Sequence, residues 1–244
     1  LDLNDFNQAA LGLSGAGTID LGTARLTVNN AQSASFSGLI EGTGGLTKTG
    51  AGTLTLSGDN DYSGGTAINQ GLLIAQSGTA LGSGLVTNNS GLELNLAGDG
   101  TVGNQLTGSG SLTKTGAGVA TLTGADSSAG VITVNDGTLS FNQGDTFQAA
   151  SLATAGGAIP DFRPDSLINL TGAFTQNNGA TLQVGLPLSD VPILTAASVD
   201  LDGDFLIEGF SSLPRASVIT AGRRGIIQSG SAINGDFDSY DFGG

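Results

Sequence analysis

The chain has 244 residues, 42 of them Gly, with 21 acidic against 7 basic side chains, a net charge of −14, and no His, Cys, Met or Trp. Without His there is no imidazole relay, no imidazole base near neutral pH and no His-bound metal; without Cys there is no disulfide, thiolate nucleophile or iron–sulfur cluster. The acidic balance argues against nucleic acid and anionic lipid as partners, and 38% hydrophobic with only 11% charged residues is the reverse of a disordered composition.

The first residue is Leu1 rather than Met, which reads as a fragment or a processed product. No apolar run approaches the roughly 20 residues of a membrane-spanning helix. From the N-terminus onward the apolar period is two. GAGTIDLGTARLTVNN at 15–30 contains Leu26-Thr27-Val28, and Thr53-Leu54-Thr55-Leu56 and Leu92-Glu93-Leu94-Asn95-Leu96 follow the same alternation, which places one row of side chains inward and one outward on a strand. Clusters such as Ser57-Gly58-Asp59-Asn60 and Thr87-Asn88-Asn89-Ser90-Gly91 separate these runs and supply turn residues. No stretch has helical spacing, so the chain is predicted to be all-β.

The runs also repeat. GTGGLTKTGAGTLTLSG at 42–58 and GSGSLTKTGAGVATLTG at 108–124 agree at 12 of 17 positions, with an offset of 66. The register persists through Gly64 and Gly130, Asn69 and Asn135, Gly71 and Gly137, and Leu73 and Leu139. Read as three turns of about 22 residues, the offset predicts a parallel β-solenoid, a rod on the order of 50 Å long in which equivalent residues stack from coil to coil. After residue 158 the composition changes. All five Pro and four of the five Arg lie beyond it, and the Leu-Thr-Lys motif does not recur. The organisation read from this is β-helix repeats over 1–158 and a C-terminal capping region over 159–244, with Pro160 to Leu167 as an irregular connection.

The stretch 42–75 resembles the passenger-associated strand repeat of bacterial autotransporters, proteins of type V secretion. The resemblance rests on Gly44, Leu46 to Lys48, Gly50 and Gly52, Leu54 to Leu56, Asn60, Tyr62 to Gly64, and Gly71 with Leu73. The second copy has Asp126-Ser127-Ser128-Ala129-Gly130 where the first has Asn-Asp-Tyr-Ser-Gly. Further on, LTGAFTQNNGATLQVGL at 170–186, VDLDGDFLIEGF at 199–210 and ASVITAGRRGIIQSGSAINGDFDS at 216–239 are similar to the strand units that end passengers, just before an outer-membrane β-barrel. The resemblance implies a right-handed parallel β-helix at the bacterial surface or secreted, exported through periplasm and outer membrane. It also implies a C-terminal autochaperone and a β-barrel translocator as partner.

The candidate sites are carboxylates. Asp59 and Asp61, then Asp200, Asp202 and Asp204, then Asp236 and Asp238 are spaced two apart, and polysaccharide hydrolysis needs a carboxyl pair on one face of a cleft. The first pair is predicted to lie in a turn and the others in the cap, which favours solvated carboxylates. Asp59-x-Asp61-x-Ser63-Gly64 begins like a Ca²⁺ loop, but Gln70 stands where the bidentate Glu belongs. Lys48 and Lys114 are expected to be solvated turn-flanking residues three coils apart, and Arg223-Arg224 a solvent-facing turn. The reading favoured is therefore non-enzymatic, with no catalytic residue, metal or cofactor assigned. The chain would be a membrane-proximal stalk and folding template that adheres to host surface or matrix molecules or self-associates, without nucleic acid. The alternative is a β-helical polysaccharide-acting enzyme using paired Asp carboxylates.

Overall fold

The computed structural model describes residues 1–142, 144–164, 166–185, 193–208, 227–229, 233–234 and 237–241. Among them the predicted alternation becomes short strands and no helix. The strands pair in parallel with their counterparts one turn later, giving a three-faced solenoid of about nine turns. On the first face Arg25–Asn29 pairs with Gly45–Thr49, that with Thr66–Ile68, and so on through Val86–Asn88 and Leu106–Thr107. The second face stacks Ala34–Phe36, Thr53–Leu56, Leu72–Ala75, Gly91–Asn95 and Ser111–Thr115. The third carries Ile19–Asp20 against Ile40–Glu41, and later Gly100–Val102, Val119–Leu122, Thr138–Phe141 and Ile159–Phe162. Inward residues such as Leu46, Leu54, Leu73, Val86, Leu92 and Leu112 are at most 1% exposed and form one continuous core.

The coil is shorter than the sequence suggests. Leu46, Thr66, Val86 and Leu106 are successive partners, a step of about 20 residues, at the short end of what solenoid repeats occupy. The offset between the two motif copies therefore exceeds three turns, and the excess carries the second copy about one face further round the coil. Leu46 lies on the first face, whereas its copy Leu112 lies on the second, in register with Leu54, Leu73 and Leu92. Thr53–Leu56 is on the second face and its copy Val119–Leu122 on the third. Equivalent residues of the two copies do not stack, because the motif and the coil have different lengths.

What the motif repeats is a corner. Backbone carbonyls that turn inward at a corner are cut off from water and need donors. Lys48 is fully buried rather than solvated, and its Nζ donates to the carbonyls of Thr49, Gly50 and Gln70 at 2.9, 2.7 and 3.0 Å. Lys114 is buried in the same way and donates to Thr115, Gly116 and Asp136 at 2.8, 2.5 and 3.2 Å. In each case the third carbonyl belongs to the next turn, so the lysine ties two coils together. Burial lowers the pKa of both amines, with Asp136 opposing the shift at Lys114. The following Gly of the motif has to be Gly. Gly71 has φ +73°, and a Cβ there would stand 2.5 Å from the carbonyls of Gly50 and Gly52. Other corners use buried amides: Asn30 Nδ2 donates to Gln32 and Thr53, and Asn104 Nδ2 to Gly82 and Gly84.

Past residue 140 the coils change without a break in the ladder. Strands lengthen to Thr146–Thr154, Ala173–Gly185 and Ser198–Glu208, and the interior turns aromatic. Phe141 packs on Phe147 and Phe162 with centroids 5.2 and 5.5 Å apart, and Phe162 on Phe174 at 6.1 Å. Pro160 lies inside the strand Ile159–Phe162 rather than in an irregular connection. The next turn bonds the strand on either side of it, Thr181 N–H donating to the Ala158 carbonyl and pairing resuming at Asp161 with Gln183, so the proline leaves out a single donor in a ladder held before and after it. The connection is confined to the short corner between Phe162 and Leu167, where Ser166 bonds back to the Arg163 carbonyl.

Lys48→Met keeps the buried stem and removes the donor, so three carbonyls lose their partner. It is expected to destabilise the protein by about 3 kcal/mol in urea unfolding. A loss under about 0.5 kcal/mol, the level of an ordinary surface change, would show that the clamp does not hold the corner.

Candidate functional site

The acids gather on the third face. Asp2 is bridged to Asp20, Asp20 is the partner of Glu41, and the Asp61 amide bonds the Ile40 carbonyl, which sets Asp61 beside Glu41. Four carboxylates thus stand in one column at intervals of about 4.8 Å, an arrangement of like charges that opposes folding where they are directly opposite. Among the described residues no group of three or more acids converges as a metal cage would require.

Asp59 and Asp61 occupy an extended rung rather than the expected turn. Asn60 and Tyr62 point inward and are buried, while Asp59, Asp61 and Ser63 point out. The rung stays extended because Asn60 bridges three turns: its Oδ1 accepts from Ile40 N–H and its Nδ2 donates to the Ala80 carbonyl, at 2.8 and 2.7 Å. A straight rung does not wrap outward oxygens around a cation. The Thr79 and Ser77 hydroxyls hold Asp59 below the usual carboxylate range, the opposite of what a general acid needs. In the groove beside it the other carboxylate, Asp99, accepts the Val119 amide at 2.9 Å.

The C-terminal triplet is split by a corner. Gln176 pairs with Leu201 and Ala180 with Gly203, so Asp200 lies beside Thr175 on the second face and Asp204 beside Thr181 on the third. Asp236, the Asp238 side chain and Arg223-Arg224 lie outside the described residues.

Two polar centres carry no sequence signal of their own. Asp161 is 1% exposed, accepts from Ser140 Oγ at 2.7 Å and pairs with Arg163 Nε at 2.7 Å. Lying in the middle of Ile159–Phe162, it reads as a strand interruption until Ser140 is found beneath it. Tyr62 is fully buried and shares a hydrogen bond of 2.5 Å with Thr66, whose hydroxyl passes its own hydrogen to the Leu81 carbonyl. In the second copy Ser127 accepts from Leu106 N–H of the preceding turn and donates to the Gly124 carbonyl of its own turn, so it joins two coils where Asn60 joins three.

Fold and corner motif together define the class: a parallel β-solenoid built on a lysine-clamped repeat. Residues 46–75 and 112–141 match the family model of the passenger-associated-transport repeat, and the chain carries two copies of this repeat of bacterial autotransporter passengers. The chain is similar to the adhesin BmaC autotransporter of Brucella suis biovar 1 (strain 1330), 53% identical over 55 residues, which is 22% of this chain and 2% of that protein. It is also similar to two proteins of Serratia marcescens named extracellular serine protease. One is 46% identical over 70 residues, 27% of this chain and 7% of the relative; the other is 40% identical over 79 residues, 32% and 7%. The matched stretches thus span only a small part of these relatives' length. No solved structure matches.

Burial pushes the Tyr62 phenol far above its ordinary range, with the Thr66 hydrogen bond opposing. Above about pH 10 the unfolded chain releases this proton and the folded chain keeps it, so the folded state binds more protons and stability falls as pH rises. Tyr62→Phe removes the group, and its unfolding free energy in urea is expected to decline less steeply than that of the wild type between about pH 9.5 and 11. Parallel declines would mean that Tyr62 ionises in the folded state.

Proposed function

We propose that the chain is an extracellular passenger segment, surface-displayed or secreted, whose work is mechanical and adhesive rather than catalytic. The observation that carries this reading is the parallel ladder of the second face, which runs without a break from Ala34–Phe36 to Ile233–Asn234, with clamped corners recurring on successive edges. A rod of this kind resists bending and holds upstream residues away from a cell. Among the described residues Asp200 and Asp204 are divided between faces and Asp59 is engaged by the Thr79 hydroxyl, and the chain has no His to serve a serine nucleophile. Similarity to an adhesin supports adhesion to host surface or matrix molecules, or self-association. Similarity to extracellular proteases reaches this chain over a segment that cannot hold a His-dependent relay.

The C-terminal coils serve as folding template. A solenoid nucleates at one place and propagates turn by turn, and the long strands and Phe cluster beyond residue 140 make that end the best nucleus. In export the partner of this end is an outer-membrane β-barrel translocator.

Refolding of the full chain compared with residues 1–164 tests the template. Loss of the C-terminal coils is expected to slow recovery of protease resistance by about tenfold or more, as removal of a nucleus does. Equal rates would remove the template role.

A further inference from the structure

The first face differs from the rest of this acidic molecule. Its central outward column runs Thr27, Thr47, Ala67, Thr87 and Thr107, and then, from the strands that continue it, Ser128, Gln148, Asn169 and Thr195. Nine consecutive rungs carry no formal charge, in a chain of net charge −14. On one side lie Asn29, Thr49, Asn69 and Asn89, with Asn89 bonded to Asn69. On the other side Gly45 and Gly65 are buried, the Arg25 guanidinium reaching across to Thr47 Oγ1 and the Gly64 carbonyl at 3.2 and 3.4 Å, and Leu85 is 47% exposed. Asp126 brings charge to its margin, and the Arg25 guanidinium extends from the margin onto the central Thr47. The second face has Glu93 and Asp200 in its central column, and the third has the Asp2–Asp20–Glu41–Asp61 ladder.

We infer that the first face is a self-association surface that receives the same face of a second copy of this chain. This rests on the adhesive reading above and names its partner. Two rods of strongly negative charge repel wherever acids meet, and this face alone lets them touch over many rungs without bringing carboxylates together. Nine rungs at about 4.8 Å span roughly 40 Å, and the strands of this face, two to five residues long, are about 7 to 17 Å wide. That gives roughly 300 to 700 Å² per copy, whose upper end approaches the roughly 800 Å² that each partner contributes to a stable interface. Thr, Asn and Gln supply donors and acceptors on both sides, so a face of this kind is complementary to itself, as a two-fold contact requires. The exposed Leu85 gives the contact an apolar anchor.

The test adds the same charge to different faces of the intact chain. Thr87→Asp with Gln148→Glu places two carboxylates on the first face, and Thr55→Asp with Thr133→Asp places two on the second. Circular dichroism checks that each variant is folded. In sedimentation equilibrium the wild type is expected to self-associate, more tightly as salt screens the acidic faces. The first-face variant should associate at least about tenfold more weakly and the second-face variant like the wild type. Equal weakening of both variants would overturn the assignment. A wild type that stays monomeric at every salt concentration yet still coats cells would overturn it too, while leaving the adhesive reading standing.

Discussion

Every turn of this solenoid must bend three times, and at each bend carbonyl groups face a dry interior. The fold depends on supplying them with donors. The ladders between coils satisfy the straight segments automatically, since each strand finds its partner in the next turn. Corners have no such partner, so side chains provide one: a buried lysine at two of them and buried amides or hydroxyls at others. The lysines contribute most, because one ammonium serves three carbonyls and one of these belongs to the following coil.

That requirement explains what the sequence repeats and why. Lys48, Gly50, Gly52, Asn69 and Gly71 form a single corner although they span more than a full coil, and the same set returns at Lys114 through Gly137. The repeat therefore codes for a clamp rather than for a coil. Because the offset between the copies exceeds three turns by about one face, the second clamp stands at the next corner. A passenger built from such repeats would staple its edges in rotation and leave no corner consistently weak.

The strands were legible because period-two alternation has one cause, a half-buried strand, and Leu26 to Val28, Thr53 to Leu56 and Leu92 to Leu96 all follow it. The parallel solenoid was legible because a long-range register has no role in hairpins. The coil length was not, since the clearest offset in the chain belongs to the motif, and the step of the coil appears only as partners of unlike type, Leu46, Thr66, Val86 and Leu106. Burial of Lys48 and Lys114 was hidden for a related reason. A charged residue beside Gly reads as solvated, and only the inward parity it shares with Leu46 and Leu112 marks it as core. The Asp59–Asp61 segment looked like a turn because Asn, Asp and Gly favour turns, yet Asn60 makes it a rung by bridging its neighbours.

The central claim, that the coil is shorter than a third of the motif offset and the repeat advances one face per copy, can be measured as a distance. The chain lacks Cys, so paired spin labels can be introduced without background. Labels at Thr55 and Thr113, outward on the same face and three rungs apart, should lie roughly 14 Å from each other, three steps of about 4.8 Å. Labels at Thr55 and Thr121, separated by the motif offset, should lie farther apart because they point from different faces. The reverse order would show that equivalent residues of the two copies stack and that the coil is as long as the offset implies.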